Sequence, residues 1–366
     1  MKKGTIMKVV AVVAIVVAGF MIYMNMNKNK TSPGITVKAW DNIYEGNHID
    51  FFYDDDSDNN KLKLLNKNYN ISEKFSNLDN DVQVALRTAD WIRSSLDVDS
   101  ITKHTGTNGY DLLNEAQSDK KASGYEIAII ERDILKCIGI ISRTGQLRIK
   151  PKKGSDISSY NVVEFYSKDE KKWILLDVIN RRVFKNNGKY LSAIEFLETK
   201  KTEIETYNNK NYKEINRISD FKYSYSVNLD NTVKNKNSNS MLTYCSKNDL
   251  PTLNDNVSYY QPQIFTKNKE LFDNVPYYKS EDKDKKAYIV IMFSNLVEKD
   301  KTEYPSIIVG AFKDSRMLKQ YYIKVGDGKM TEVGKYQSVT LKKGVNTIEI
   351  SEDGVNVASS IKIEYN

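Results

Sequence analysis

Histidine and cysteine are nearly missing from this chain: two of each stand among 366 residues, His48 and His104, Cys137 and Cys245. That scarcity excludes a histidine-rich metal centre, and two isolated thiols in different proposed domains offer neither a metal-ligand spacing nor a disulfide framework. An excess of one charge is also lacking. The 55 Lys and Arg stand against 48 Asp and Glu, a formal +7, and are interspersed along the chain. Such a spread reads as a solvated surface and argues against nucleic acid as a partner.

The most legible feature present is N-terminal. Lys2, Lys3 and Lys8 precede an uninterrupted apolar or small run from Val9 to Met24, and a polar segment ending at Lys30 follows. Ile6, Met7 and Met26 extend the run if Lys8 snorkels, which brings it near spanning length. A small-x-small cleavage site after a proper hydrophobic core is hard to place, so an uncleaved signal anchor is expected over a cleaved peptide. A single span with a large polar remainder puts the rest of the chain outside the cytoplasm, at the cell surface.

The length suffices for two domains. The expected division is an anchor over residues 1–30, a tether over 31–47 broken by Pro33 and Gly34, a mixed domain over 48–200, a polar linker over 201–219, and a β domain over 220–366. Asp54, Asp56 and Asp58 invite a calcium reading, but Asn59 stands where such a loop needs Gly and Leu65 where it needs Glu, so a solvated turn is expected.

Val82, Ala85, Leu86, Ala89, Ile92 and Leu96 recur at three- and four-residue spacing, which predicts an amphipathic helix capped by Asp79 or Asn80. A second helix is predicted from about Gly124 to Ile138, with Ile127, Ile130 and Ile134 on its apolar stripe. Cys137 lies late on that stripe and reads as a small buried hydrophobe. Strands follow at 140–142, 162–166 and 173–178, then a short helix at 192–197. Beyond residue 220 the pattern is of strands only, at 221–227, 287–293, 306–312, 320–325, 338–341, 347–350 and 361–365, which argues for a β-sandwich or jelly-roll-like domain. The fold class is therefore α+β.

The order helix, loop, helix led by small residues, then strands with a late Trp and Asp resembles a transglutaminase-like core of the papain type over about residues 51–198. Ala89–Arg93 (ADWIR) is similar to that family's tryptophan-bearing helix, and Tyr110–Ala116 (YDLLNEA) to the short helix before its nucleophile. Ser123–Arg143 is similar to the nucleophile helix and the Gly-Ile-x-x-Arg strand after it. Asn161–Asp177 resembles the hairpin carrying histidine and aspartate, and Ala193–Phe196 (AIEF) the closing motif.

The resemblance implies acyl transfer by a cysteine thiolate, a histidine and an orienting aspartate. It also locates their counterparts here. Counting back from Gly139 and Ile140, the cysteine position falls on Gly124; a two-residue shift puts it on Ala122, with Ser123 between. The histidine position falls on Tyr160. Only the aspartate is kept, as Asp177. Glycine has no nucleophile and tyrosine is a poor general base at neutral pH. His48 precedes the domain and His104 lies in a Thr/Gly loop before the helix, so neither replaces the lost base. No triad is intact and no cofactor is implied.

Asp177 is expected to accept a hydrogen bond from the Tyr160 hydroxyl, since a buried carboxylate needs a partner. In the β domain, Val339–Gly354 (VTLKKGVNTIEISEDG) looks like the end of a carbohydrate-binding sandwich. Tyr259, Tyr260, Tyr277, Tyr278, Tyr321 and Tyr322 offer rings for sugars, though paired tyrosines more often pack in sheets. The expected function is a non-catalytic, membrane-anchored surface protein binding an envelope glycan or protein. The alternatives are a divergent acyl-transfer enzyme with an unrecognised nucleophile and a structural part of an export complex.

Overall fold

The computed structural model describes residues 35–41, 43–53, 59–149, 159–208, 218–245, 261–279, 281–293 and 306–365. The apolar run 9–24 and the acidic loop 54–58 lie outside the described residues. Among the described residues no helix is long and apolar enough to cross a membrane.

Residues 35–40, expected as tether, form strand β1 (Ile35–Trp40), which pairs antiparallel with the end of the chain, Ile35 opposite Tyr365. Ile35, Val37 and Ala39 alternate with Thr36 and Lys38, but the pattern is short and its partner lies more than 300 residues away, so Pro33 and Gly34 outweighed it in the reading there. Five helices follow: α1 (Asn60–Tyr69), α2 (Ile71–Phe75), α3 (Asp81–Ser95), α4 (Gly109–Glu115) and α5 (Gly124–Cys137). Asn80 caps α3 by accepting the Gln83 amide, and the 82–92 stripe is buried as its spacing predicts. Helix α5 stops because Gly139 adopts a left-handed φ of 82°, letting the Ile140 amide reach back to the Leu135 carbonyl at 3.0 Å.

Strands β2 (Ser142–Arg148), β3 (Ser159–Ser167), β4 (Lys172–Asp177) and β5 (Arg182–Asn186) form an antiparallel meander. Their alternation separates two cores. Val163, Phe165, Ile174 and Leu176 pack under the helices, while Tyr160, Val162 and Leu175 face the opposite side with Phe196 of α6 (Ala193–Glu198). Tyr160 and Asp177 thus lie on the sheet face away from the helices.

The sheet does not stop at residue 200. Residues 205–207, placed in the expected linker, pair with β5. Strand β6 (Ser224–Asn228) then pairs antiparallel with β2, covering an edge whose amides and carbonyls would otherwise be unpaired. Gly145 permits that pairing, because a Cβ there would lie 2.5 Å from the Tyr225 ring. Strand β7 (Met241–Cys245) joins β6, β8 (Gln263–Thr266) runs parallel to β7, and after the short helix α7 (Glu270–Asp273) come β9 (Tyr288–Phe293) and β10 (Ser306–Lys313), giving a 13-stranded sheet. The stretch beyond 220 is thus not made of strands alone.

A separate five-stranded antiparallel sheet has the order β1, β15 (Val357–Tyr365), β14 (Gly344–Ser351), β11 (Gln320–Val325), β12 (Thr331–Gly334). Strand β13 (Tyr336–Thr340) instead adds to β10 of the large sheet. A third core joins the two sheets, with Phe265, Ile289, Ile307 and Val309 on one side and Val37, Ile323, Ile348 and Ile361 on the other. The result is a mixed α+β chain in which the far end of the large sheet is one layer of a sandwich.

Candidate functional site

Helix α5 begins in a capping box. The Ser123 hydroxyl accepts the Glu126 amide at 3.4 Å, and Glu126 Oε2 accepts the Ser123 amide at 2.7 Å. Glu126 Oε1 also accepts the His104 amide at 2.7 Å. Burial pushes the Glu126 carboxyl up, but the His104 and Ser123 amides outweigh it and leave the group below its ordinary value. The positive end of the helix is therefore occupied by a carboxylate of the chain itself.

His104 Nδ1 lies 3.3 Å from Glu126 Oε1, close enough for an ion pair when protonated but without hydrogen-bond geometry. The sequence reading placed His104 in a loop before the helix; the structure brings its ring to the head of the helix, against Glu126. No motif spacing signals that contact.

Gly124 is the first residue of the helix. A Cβ built there would stand 3.2 Å from Ile179 Cδ1 and 3.6 Å from Asn161 Nδ2, so the Ile179 side chain closes over the position. Ala122 is buried in a short strand pairing with residues 97–98.

Asp177 is fully buried. Its Oδ1 accepts the Tyr160 hydroxyl at 2.7 Å and the Asn180 amide at 3.1 Å; its Oδ2 accepts Asn180 Nδ2 at 2.9 Å and Arg182 Nε at 3.0 Å. Asn180 Nδ2 further donates to the Tyr160 oxygen at 2.8 Å, closing a ring of bonds. The Tyr160 to Asp177 hydrogen bond is the one the sequence leads one to expect. Asn180 and Arg182 were not foreseen, because the tight turn after β4 folds them back onto the carboxylate. Above the turn Arg93 Nε donates to the Ile179 carbonyl at 3.4 Å. Burial, with Arg181 beside it, holds the Arg93 guanidinium below its ordinary pKa.

Cys137 stands 13 positions after Gly124, roughly 20 Å along the helix. Its thiol contacts the Leu62 carbonyl at 3.5 Å, and burial pushes it up to about 12, so it carries no thiolate at neutral pH. His48 lies elsewhere, with Nε2 at 2.7 Å from Asp50 Oδ1 and its ring edge-on to Tyr278. No group of three or more possible metal ligands occurs among the described residues. Of the tyrosines proposed for sugars, Tyr321 is buried with its hydroxyl on the Val309 carbonyl, Tyr277 and Tyr278 are exposed, and Tyr259 and Tyr260 lie outside the described residues.

A second buried polar cluster went unread in the sequence. Arg143 Nε and Nη2 lie 2.9 and 2.8 Å from Glu164 Oε2, Nη2 also donates to the Phe272 carbonyl at 2.7 Å, and the guanidinium stacks 4.0 Å above the Trp173 ring. Glu164 additionally accepts the Tyr225 hydroxyl at 2.7 Å and the Ala193 amide at 2.8 Å. One ion pair thereby ties β2, β3, β6, α6 and α7 together.

No family model matches the sequence, and no curated protein matches it either. A structural match is a candidate cysteine protease from Cytophaga hutchinsonii, 11% identical, covering 53% of this chain, with a TM-score of 0.28. The chain spans 56% of the length of that protein.

Proposed function

We propose that this chain is a membrane-anchored surface protein of transglutaminase-like ancestry that binds an envelope glycan or protein and catalyses no acyl transfer. The observation that carries the reading is the closed ring around Asp177. In a working triad the carboxylate orients an imidazole that must gain and lose a proton. Here its oxygens are taken by Tyr160, Asn180 and Arg182, and no histidine is among those partners. Gly124 supplies no nucleophile and is covered by Ile179, and the Ser123 hydroxyl is committed to the helix cap.

The test uses the full chain in detergent. It is incubated with a glutaminyl peptide and an amine donor, and separately with casein, then passed over an immobilised envelope fraction. No turnover together with saturable retention is expected. Turnover abolished by Asp177→Ala would overturn the proposal in favour of a divergent acyl-transfer enzyme.

A further inference from the structure

We infer that a basic cavity on the large sheet, between the loop after β6 and the turn before β11, is a binding site for an anionic saccharide. The cavity has a volume of about 440 Å³ and is lined by Phe52, residues 235–239, Arg316, Met317 and Lys335. This inference names a ligand class within the binding reading above and rests on it.

The lining has three properties that together define a ligand. First, Lys236, Arg316 and Lys335 supply three exposed cations; among the described residues none that lines the cavity is acidic and none of the three is ion-paired, the Lys335 ammonium lying 5.1 Å over the Tyr336 ring. Cations gathered in a concave polar setting concentrate field lines and favour an anion. Second, the exposed side-chain amides of Asn235 and Asn237 have no partner among the described residues. Neutral amides both donate and accept, the capacity that vicinal hydroxyls need. Third, the half-buried Phe52 ring and the Met317 side chain add apolar surface to the lining, suited to the C–H face of a pyranose.

The loop is also built to hold its shape. The buried Asp230 carboxylate accepts the Thr232 amide at 2.9 Å, the Thr232 hydroxyl at 2.6 Å, the Asn237 amide at 2.6 Å and the Ser238 amide at 3.3 Å. Phe52 is fixed from the other side, donating to the Leu229 carbonyl at 2.8 Å while its own carbonyl accepts the Asn231 amide at 2.8 Å. A pre-ordered loop loses little freedom when a ligand arrives. Asp230 is a positioning residue, since it touches the loop and does not line the cavity.

The anion is a carboxylate or a phosphate on a sugar. Calorimetric titration of the full chain in detergent uses tetragalacturonate, glucose 1-phosphate, neutral galactotetraose, inorganic phosphate and hexaglutamate as probes. Binding of at least one of the two anionic saccharides, weakened by salt and with neither galactotetraose nor hexaglutamate binding comparably, is expected. Which of the two binds identifies the source of the charge. Arg316→Gln and Lys335→Gln each weaken binding by roughly tenfold, because a charge-assisted contact is lost without disturbing the core. Lys362→Gln, exposed on β15 of the other sheet, leaves it unchanged. Equal binding of galactotetraose, equal binding of hexaglutamate, binding of inorganic phosphate alone, or undiminished affinity in Arg316→Gln/Lys335→Gln would each overturn the inference. So would failure of both anionic saccharides to bind, whereas turnover in the acyl-transfer assay would sink the earlier reading and not this one.

Discussion

Removing the Tyr160 hydroxyl tests whether the ring around Asp177 supports the fold. Tyr160→Phe keeps the aromatic body, which packs 5.3 Å from the Phe221 ring centroid, and deletes only the oxygen. That oxygen donates to a buried carboxylate and accepts from Asn180 Nδ2. A hydrogen bond to a charged group contributes about 1.5–3 kcal/mol, and the neutral one about 1 kcal/mol. Asp177 retains Asn180 and Arg182, so its charge stays compensated and the loss falls near the low end, about 2 kcal/mol. For a unit of roughly 150–250 residues that lowers the melting temperature by about 4–8 °C. Asp177→Asn should cost more, about 3–5 kcal/mol, because Arg182 then loses its carboxylate. The double variant should recover about 1 kcal/mol or more relative to the sum, since the two groups share one bond. Thermal scans of the four proteins by near-ultraviolet circular dichroism supply the cycle. A Tyr160→Phe protein within about 0.5 kcal/mol of the parent, or strictly additive effects, would refute the argument that the ring around Asp177 supports the fold.

Glu131 is fully buried between α5 and α3, the Thr88 hydroxyl at 2.6 Å being its one hydrogen-bond donor among the described residues, and burial raises its carboxyl to about 8. Folding thus favours the protonated acid: the stabilisation is complete below the ordinary value of 4.5 and is lost as pH rises toward 8, by up to roughly 5 kcal/mol. Melting curves from pH 5 to 9 should show this decline in the parent and a flatter one in Glu131→Gln. Arg143→Met should destabilise by about 3–5 kcal/mol by stranding Glu164, while Arg143→Met/Glu164→Leu should recover part of it; denaturant midpoints check both. Maleimide at pH 7.5 should leave Cys137 unmodified in the native chain and label it after unfolding, read by mass spectrometry.

Helices α3 and α5 were legible in the sequence because their apolar residues recur at helical spacing, and for α3 because Asn80 is a local capping signal; the Ser123 cap of α5 went unread. Strands β3 and β4 were legible as short β-rich runs at 162–166 and 173–178, set apart by the polar turn 167–171. Strands β1, β7 and β8 were not. β1 reads as tether after Pro33 and Gly34 until its partner more than 300 residues away is known, and the β6 to β2 pairing that carries the sheet across residue 220 depends on Gly145 accommodating Tyr225. The candidate site divides in the same way. Tyr160 and Asp177 can be located by motif counting and joined by the need of a buried carboxylate for a donor. Asn180 and Arg182 reach that carboxylate only through the geometry of a turn, and His104 reaches Glu126 only through the folding of a loop.

Strand β3 holds both buried polar clusters on one face: Tyr160 bonds Asp177, and Glu164, two strand repeats further on, bonds Arg143, Tyr225 and the Ala193 amide. A catalytic base must exchange protons with a reactant, which requires at least one lone pair or proton left uncommitted. On this face the carboxylates are instead enclosed by donors from neighbouring strands and helices, and the polar groups act as ties between segments far apart in the chain. Replacing a buried tie of that kind by apolar residues of equal volume is often neutral in stability, whereas removing one partner alone is costly. The loop held by Asp230 follows β6, the strand that carries Tyr225, so the proposed saccharide cavity and the ties around Glu164 share that strand.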